Sequence, residues 1–442
     1  MRSLNNYLLY KGNHIERQNM VWNIAGSFCY AFASMVLSFL VMRIAGEDEG
    51  GIFSFGFSTL GQQMFIVAYF GIRPFQITDG KGEYSFGDYL GHRMRTCGLA
   101  LGAGAAFLAF MRALGRYNTH KSMILFLLVI YKVIDGYADV YESEFQRQGS
   151  LYLTGKSNFF RTVLSVAVFF AVLGVSGSLF FSCLAAVGAQ AAGVFLFNLD
   201  VIRVLPQVDW EKRAGGLRGI TGSTAFLFVS VFLDFYIFSS AKYAIDANMD
   251  NAASGYFNLI FMPTSVIYMV ANFIIRPYLT RLTSLWDGRK LEGFRRELLK
   301  LGAMVLGLTG LAVLATAVLG KWVLSVMECL LGAGYGGKLV SCHLAFSIIV
   351  LGGGLYALAN LMYYALVIQR RQKAIFGIYA AAAVIAWMIS GRLVRSFGMD
   401  GAAVCYLLLM TGLVLGFGLW TVRAYKQGKE GVNKNGSTEG AA

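Results

Sequence analysis

The chain has 442 residues, of which 57% are hydrophobic and only 14% charged, against roughly 25% charged in an ordinary soluble domain. With a mean hydropathy of +0.58 it cannot hide its apolar surface from water, so it is counted in membrane spans of about 20 residues rather than in soluble domains. The net charge of +14 does not point to nucleic acid, because the basic residues sit in short loops and no span-free domain remains to carry that function.

Twelve apolar stretches are predicted as spans, near 20–42, 52–72, 96–114, 122–145, 157–174, 177–199, 219–240, 254–275, 299–320, 339–368, 374–394 and 400–424. The first twenty residues are too polar for a secretory signal, so span 1 is read as a retained anchor. Within it Asn23, Ser27, Tyr30, Ser34 and Ser38 follow steps of 4, 3, 4 and 4 and share one helical face. Span 4 carries Lys132, Asp135, Asp139 and Glu142 at steps of 3, 4 and 3. A charge at the bilayer centre costs about 2.5–3.5 kcal/mol on insertion scales, so this stripe must meet partners or water. Lys132 is expected to pair with Asp135 on its own helix, and Asp139 and Glu142 to lie near the cytoplasmic surface.

A polar linker is expected over 206–218, between an N-lobe at 1–205 and a C-lobe at 219–425. Span 7 repeats a polar face with Ser223, Ser230 and Asp234. The two faces are expected to line one central cavity. Segment 276–300, with Trp286, Phe294 and several arginines, is expected as an amphipathic helix in the membrane interface. Gly352, Gly353 and Gly354 lie inside an apolar span and suit close packing or a bend. The tail, 426–442, is expected to be disordered.

With the N-terminus placed in the cytoplasm, 28 of the 38 Lys and Arg fall on the cytoplasmic side and 9 on the other, Lys132 lying inside a span. That asymmetry favours an even number of spans with both termini cytoplasmic. The halves also echo one another. Ile24-Ala25-Gly26-Ser27 matches Ile220-Thr221-Gly222-Ser223, and Ile72-Arg73-Pro74-Phe75 matches Ile275-Arg276-Pro277-Tyr278. The expected fold is therefore an all-α integral membrane protein of about 12 transmembrane helices, in two pseudo-symmetric six-helix lobes around a central cavity, as in transporters. Arg43, Arg73, Lys242 and Arg276 sit at span ends. Snorkelling to headgroups is their default role; projected inward, they are candidates to hold a diphosphate. Asp135, Asp139 and Asp234 are candidates for ion coupling.

Six scattered cysteines and four isolated histidines make no metal pattern, and no hydrolase, Walker or zinc-protease signature is found. No catalytic residue, metal or cofactor is expected, and the chain is read as no enzyme.

Several strings resemble the bacterial polysaccharide flippases, O-antigen-translocase-like proteins of the superfamily that also holds multidrug and toxin extruders and lipid II flippases. They are Arg43-Ile44-Ala45-Gly46 with Gly51-Ile52-Phe53-Ser54-Phe55, the run Gly71 to Asp79, Asp139-Val140-Tyr141-Glu142, Gly155-Lys156-Ser157 with Arg161, Lys242-Tyr243-Ala244-Ile245-Asp246, Tyr256-Phe257-Asn258 and Arg276-Pro277. The resemblance implies flipping of an undecaprenyl-diphosphate-linked oligosaccharide by alternating access, for capsule, exopolysaccharide or surface glycan. It implies a place in the bacterial cytoplasmic membrane, contact with membrane lipid, and functional partnership with glycosyltransferases and a polymerase. Its cavities are cationic, and Arg43, Arg73, Lys242 and Arg276 are the matching positions here. The alternatives are an ion-coupled multidrug or small-solute antiporter of the same architecture and, against the short outer loops, a membrane glycan polymerase or ligase.

Overall fold

The computed structural model describes residues 7–10, 12–79, 82–205, 208–213 and 215–439, the side chains of 431–439 excepted. Among these residues every regular element is helical, and nine helices are long and apolar enough to cross a membrane. Span 1 is Ile15–Ala45, span 3 Phe86–Ala113, span 5 Leu151–Ser176 and span 7 Gly216–Asn248. Span 8 is Asn251–Ile275, span 9 Leu291–Leu331 and span 10 His343–Ile368. Span 6 runs through Leu179–Val194 and a π-helical turn, Phe195–Leu199.

The three expected spans outside that count have physical reasons for being so. Span 2 is broken into Glu47–Phe55, a π-helical turn Gly56–Leu60, and Gly61–Tyr69. Span 4, Thr119–Arg147, carries too many charges to qualify on apolarity. Spans 11 and 12 run together in Gln372–Glu439 and part at Gly398, whose φ of 58° and ψ of −134° break the helix. The molecule is thus an all-helical, multi-span integral membrane protein.

Capping fixes several boundaries. Ser85 accepts from the backbone N–H of Asp88 at 3.0 Å, and the Asp88 carboxylate accepts from the N–H of Ser85 at 3.2 Å, a reciprocal box that starts span 3. Asn118 and Asp250 start spans 4 and 8 the same way, each accepting from the third residue on at 2.8 Å. The loop after span 9 is organised by buried Glu328, which accepts from the backbone N–H groups of Gly337, Leu339 and Val340 at 3.0, 2.6 and 2.7 Å.

The chain divides into two compact units, Met1–Phe232 and Leu233–Ala442, here units 1 and 2. In unit 1, span 1 packs mainly on span 5. Their backbones touch because a Cβ at Gly26 would run into the carbonyl of Gly155, and one at Gly155 into that of Trp22. Gly222, the repeat counterpart of Gly26, has open space instead, so matching letters do not carry matching packing. In unit 2 the glycine triplet serves close packing. Gly352 faces the Tyr406 ring, Gly353 faces Thr264 and Gly354 faces Thr309, which sets span 10 against spans 12, 8 and 9.

One expectation is revised. The interfacial segment 276–300 is not one helix. It is a short helix, Leu279–Asp287, that buries Leu282, and its remainder opens span 9. That 41-residue helix is about 60 Å long and outreaches a bilayer core of about 30 Å. The described part of the polar linker is bound down on unit 1. Gly87 N–H donates to the carbonyl of Asp209 (3.1 Å), Arg213 N–H to Asp88 (2.9 Å), and the Arg213 guanidinium to the carbonyls of Gly82 (2.6 Å) and Glu83 (2.9 Å). Of the tail, Lys426–Glu430 continue the last helix, and the side chains beyond lie outside the described residues.

Candidate functional site

Span 4 of unit 1 sets the charge pattern. Its i, i+3/i+4 spacing puts Lys132, Asp135, Asp139 and Glu142 on one face, and all four are buried. Asp139 and Glu142, expected near the cytoplasmic surface of the membrane, are shielded from solvent inside the unit. They are inside the unit because arginines from three other elements meet them there. Arg73, just after span 2, donates to Asp139 at 2.6 Å and to Gln146 at 3.0 Å, with Glu142 at 3.7 Å. Arg93 of span 3, fully buried, reaches the other oxygen of Asp139 at 2.9 Å and the carbonyl of Ala68 at 2.8 Å. Arg161 of span 5 bridges Glu142 at 2.8 Å and Asp135 at 3.2 Å. Three guanidinium groups and three carboxylates therefore neutralise one another, which is what permits so many charges inside a bundle.

Lys132 is left over. It makes no direct ion pair with Asp135. Its ammonium donates to the hydroxyl of Tyr30 at 3.0 Å, and Tyr30 donates to Asp135 at 3.3 Å. The ammonium also sits 3.9 Å from the ring centroid of Phe57. Both π-helical turns border this network. Phe57 belongs to the turn in span 2. Asn198 belongs to the turn in span 6 and accepts from Ser157 at 2.8 Å and Arg161 at 3.3 Å. Such turns re-aim side chains and are frequent at functional sites. Gln190 also donates to Asp135.

Unit 2 is built differently. Asp234 of span 7 accepts from Tyr356 of span 10 at 2.9 Å. Tyr268 stacks on Tyr356 with centroids 5.2 Å apart. No basic side chain pairs with Asp234 among the described residues. Two turns further along the same helix Lys242 is buried, with its ammonium 4.3 Å from the Phe261 ring centroid. Among the described residues it has no ion pair or hydrogen bond either.

The other expected site residues separate. Arg43 is exposed in the last turn of span 1, and Arg276 is exposed in the 3₁₀ turn after span 8. Arg73 and Arg276 correspond in the repeat, and each follows a fully buried isoleucine, Ile72 or Ile275. Arg73 is nevertheless bound to carboxylates, while no ion pair of Arg276 is found among the described residues. On the serine faces, Asn23 and Ser34 are half-buried, Ser27 and Ser223 exposed, and Ser38 and Ser230 buried. Tyr30 turns to the charge network.

Sequence reading placed Arg93, Lys156 and Arg161 among the cytoplasmic loop cations. All three are buried in unit 1. The signal for one of them was present, since three acids on one apolar span require buried cations and Arg161 is the basic residue inside the expected span 157–174. Arg93 lies just outside the expected span 96–114. Nothing in the local pattern marks Gln190 or Tyr356.

No family model matches the chain, and no curated protein matches its sequence. Solved structures do match. A multidrug resistance MATE family transporter of the MOP superfamily superposes with a TM-score of 0.66 at 12% identity, over 91% of this chain and 95% of that one. This molecule has the MOP transporter fold. The eukaryotic MATE transporter AtDTX14 matches with a TM-score of 0.61 at 11% identity, over 95% of this chain and 100% of that one. A MOP superfamily transporter from Pyrococcus furiosus, described as having a binding pocket of reverse polarity that suggests a different function, matches at 0.51 and 13% identity, over 94% of this chain and 96% of that one. At such identities the MOP likeness is one of fold.

Proposed function

We propose that this MOP-fold protein is a flippase for an undecaprenyl-diphosphate-linked oligosaccharide in the bacterial cytoplasmic membrane, with both termini in the cytoplasm. The observation that carries the reading is the pair of buried lysines, Lys132 in unit 1 and Lys242 in unit 2, neither of which has a direct carboxylate partner among the described residues. Burying an ammonium costs several kcal/mol unless an anion meets it. The protein supplies the acids of span 4 to the arginines that meet it but none to these amines, and a diphosphate supplies the missing charge. Exposed Arg43 and Arg276 are assigned the same anion during its approach. Arg73 is committed to Asp139 and serves the site mainly by holding span 4 in place.

In this reading a cavity is lined in part by the serine faces of spans 1 and 7. The glycan and diphosphate enter it from the cytoplasmic leaflet, the polyprenyl tail stays in lipid, and the lobes rock to expose the head group outside. Asp234 is the preferred ion-coupling residue, because its partner is a tyrosine hydroxyl rather than an arginine. Asp135 and Asp139 are locked in ion pairs. Glycosyltransferases supply the substrate and a polymerase consumes it. The reverse-polarity pocket of the Pyrococcus furiosus protein is support of a general kind: the fold can carry more than one pocket chemistry.

The tyrosine-bonded Asp234 also favours a second reading, an ion-coupled antiporter of cationic drugs or small solutes. Cells carrying Lys132→Met with Lys242→Met decide between them. The flippase reading expects undecaprenyl-linked oligosaccharide to build up on the cytoplasmic leaflet while the protein is made at its normal level. Sensitivity to cationic compounds without such build-up would support the antiporter instead.

A further inference from the structure

Unit 1 carries a second group of cations away from the charge network. Arg95 of span 3 and Arg218 in the first turn of span 7 face one open cleft of about 570 Å³, completed by Gly215, Leu217, Thr221 and Gly222. That volume is in the range of small-molecule sites. Both arginines are exposed, and neither has an ion pair among the described residues. Lys212 lies at the same end of the unit, its side chain 3.6 Å from the position a Cβ would take on Gly91. Asp88 lies beside the start of span 7 and is already in use. It accepts from the backbone N–H groups of Ser85 and Arg213 and lies against Gly216. The start of span 7 is therefore already served by a carboxylate, and the surplus positive charge belongs to the side chains.

The surface below the cleft is apolar. Leu99, Gly102, Ala106 and Phe110 continue from Arg95 at helical spacing, and all are exposed. Gly222 and Phe226 continue from Arg218 in the same way. A small soluble anion would use only the cleft. A lipid uses both features, with its phosphate between two guanidinium forks and its acyl chains along the two strips.

We propose that this cleft binds the phosphate headgroup of an acidic phospholipid of the surrounding bilayer. The inference does not depend on what the protein transports. Its test is native mass spectrometry of the full chain in detergent, titrated with phosphatidylglycerol or phosphatidylcholine. The wild type is expected to retain phosphatidylglycerol in preference to phosphatidylcholine. Each arginine lost in R95A and R218A should weaken that retention about fivefold, as expected for a basic residue worth about 1 kcal/mol at an anionic membrane surface. Millimolar inorganic phosphate should not displace the lipid. Equal phosphatidylglycerol retention by wild type and the R95A/R218A double variant would overturn the proposal, and so would displacement by inorganic phosphate alone. If the double variant does not fold, Thr221→Trp, which fills the cleft and leaves both charges, is read by the same criteria.

Discussion

The buried charges of unit 1 and the buried lysines differ in what their removal should do. Arg161 neutralises both Asp135 and Glu142 at 3.2 and 2.8 Å. Arg161→Ala would strand two buried carboxylates, and breaking a buried pair in this way costs about 3–5 kcal/mol. Thermal unfolding of the purified variant should show a large fall in midpoint, and a second change, Glu142→Gln, should recover part of it. Among the described residues Lys242 has no such partner, only the Phe261 ring. Lys242→Met removes a buried ammonium and keeps most of its volume, so the unfolding midpoint should hold or rise while, on the flippase reading, glycan export stops. A Lys242→Met protein that exports normally would take this residue out of the mechanism, whatever its stability.

At the scale of elements, the sequence showed the helices better than their joints. Periodicity and apolar length located the spans because a helix in lipid must satisfy its backbone internally over about 20 residues. The π-helical turns at Gly56–Leu60 and Phe195–Leu199 left no such trace, since they depend on what packs beside them. The same holds for the loop between spans 2 and 3, where Asp79 accepts from the backbone N–H groups of Glu83 and Tyr84 at 2.8 and 3.0 Å and from the Tyr89 hydroxyl at 3.0 Å. Burial alone would raise the Asp79 pKa, but these donors and Arg147 outweigh it and hold the carboxyl below its ordinary value of 3.8. A carboxyl depressed on folding adds stability above its unfolded pKa, near 3.9, and loses it as the pH falls through the lower folded value. Asp79→Asn should therefore unfold at a lower temperature than wild type at pH 7, and the gap should narrow below about pH 4. A gap that stays constant down to pH 3 would mean that Asp79 acts through loop geometry alone.

At the scale of the molecule, fold class was legible from composition, while the partners of the site residues were not. A chain this apolar has to span, but whether Arg73 meets a substrate or Asp139 depends on contacts between residues 66 positions apart. Orientation rests on a different kind of argument, the excess of basic residues on alternate loops, 28 against 9. Arg93, Lys156 and Arg161 leave that count as buried residues, and a large excess remains without them. The bias acts during insertion, when cationic loops resist crossing the membrane, so it predicts where each loop ends up. The loop at Gly332–Cys342, after the ninth span, should face outward, and the helix Leu279–Asp287, before it, should face the cytoplasm. Gly334→Cys and Ser284→Cys report on both, since each position is exposed and a side chain added at Gly334 meets nothing within 4 Å. In a background with Cys329 and Cys342 changed to Ser, a membrane-impermeant maleimide should label Gly334→Cys in intact cells and Ser284→Cys only after permeabilisation. The opposite pattern would turn the molecule over. A substrate assembled in the cytoplasm would then approach the face assigned here to release, and the export reading would fail together with the orientation.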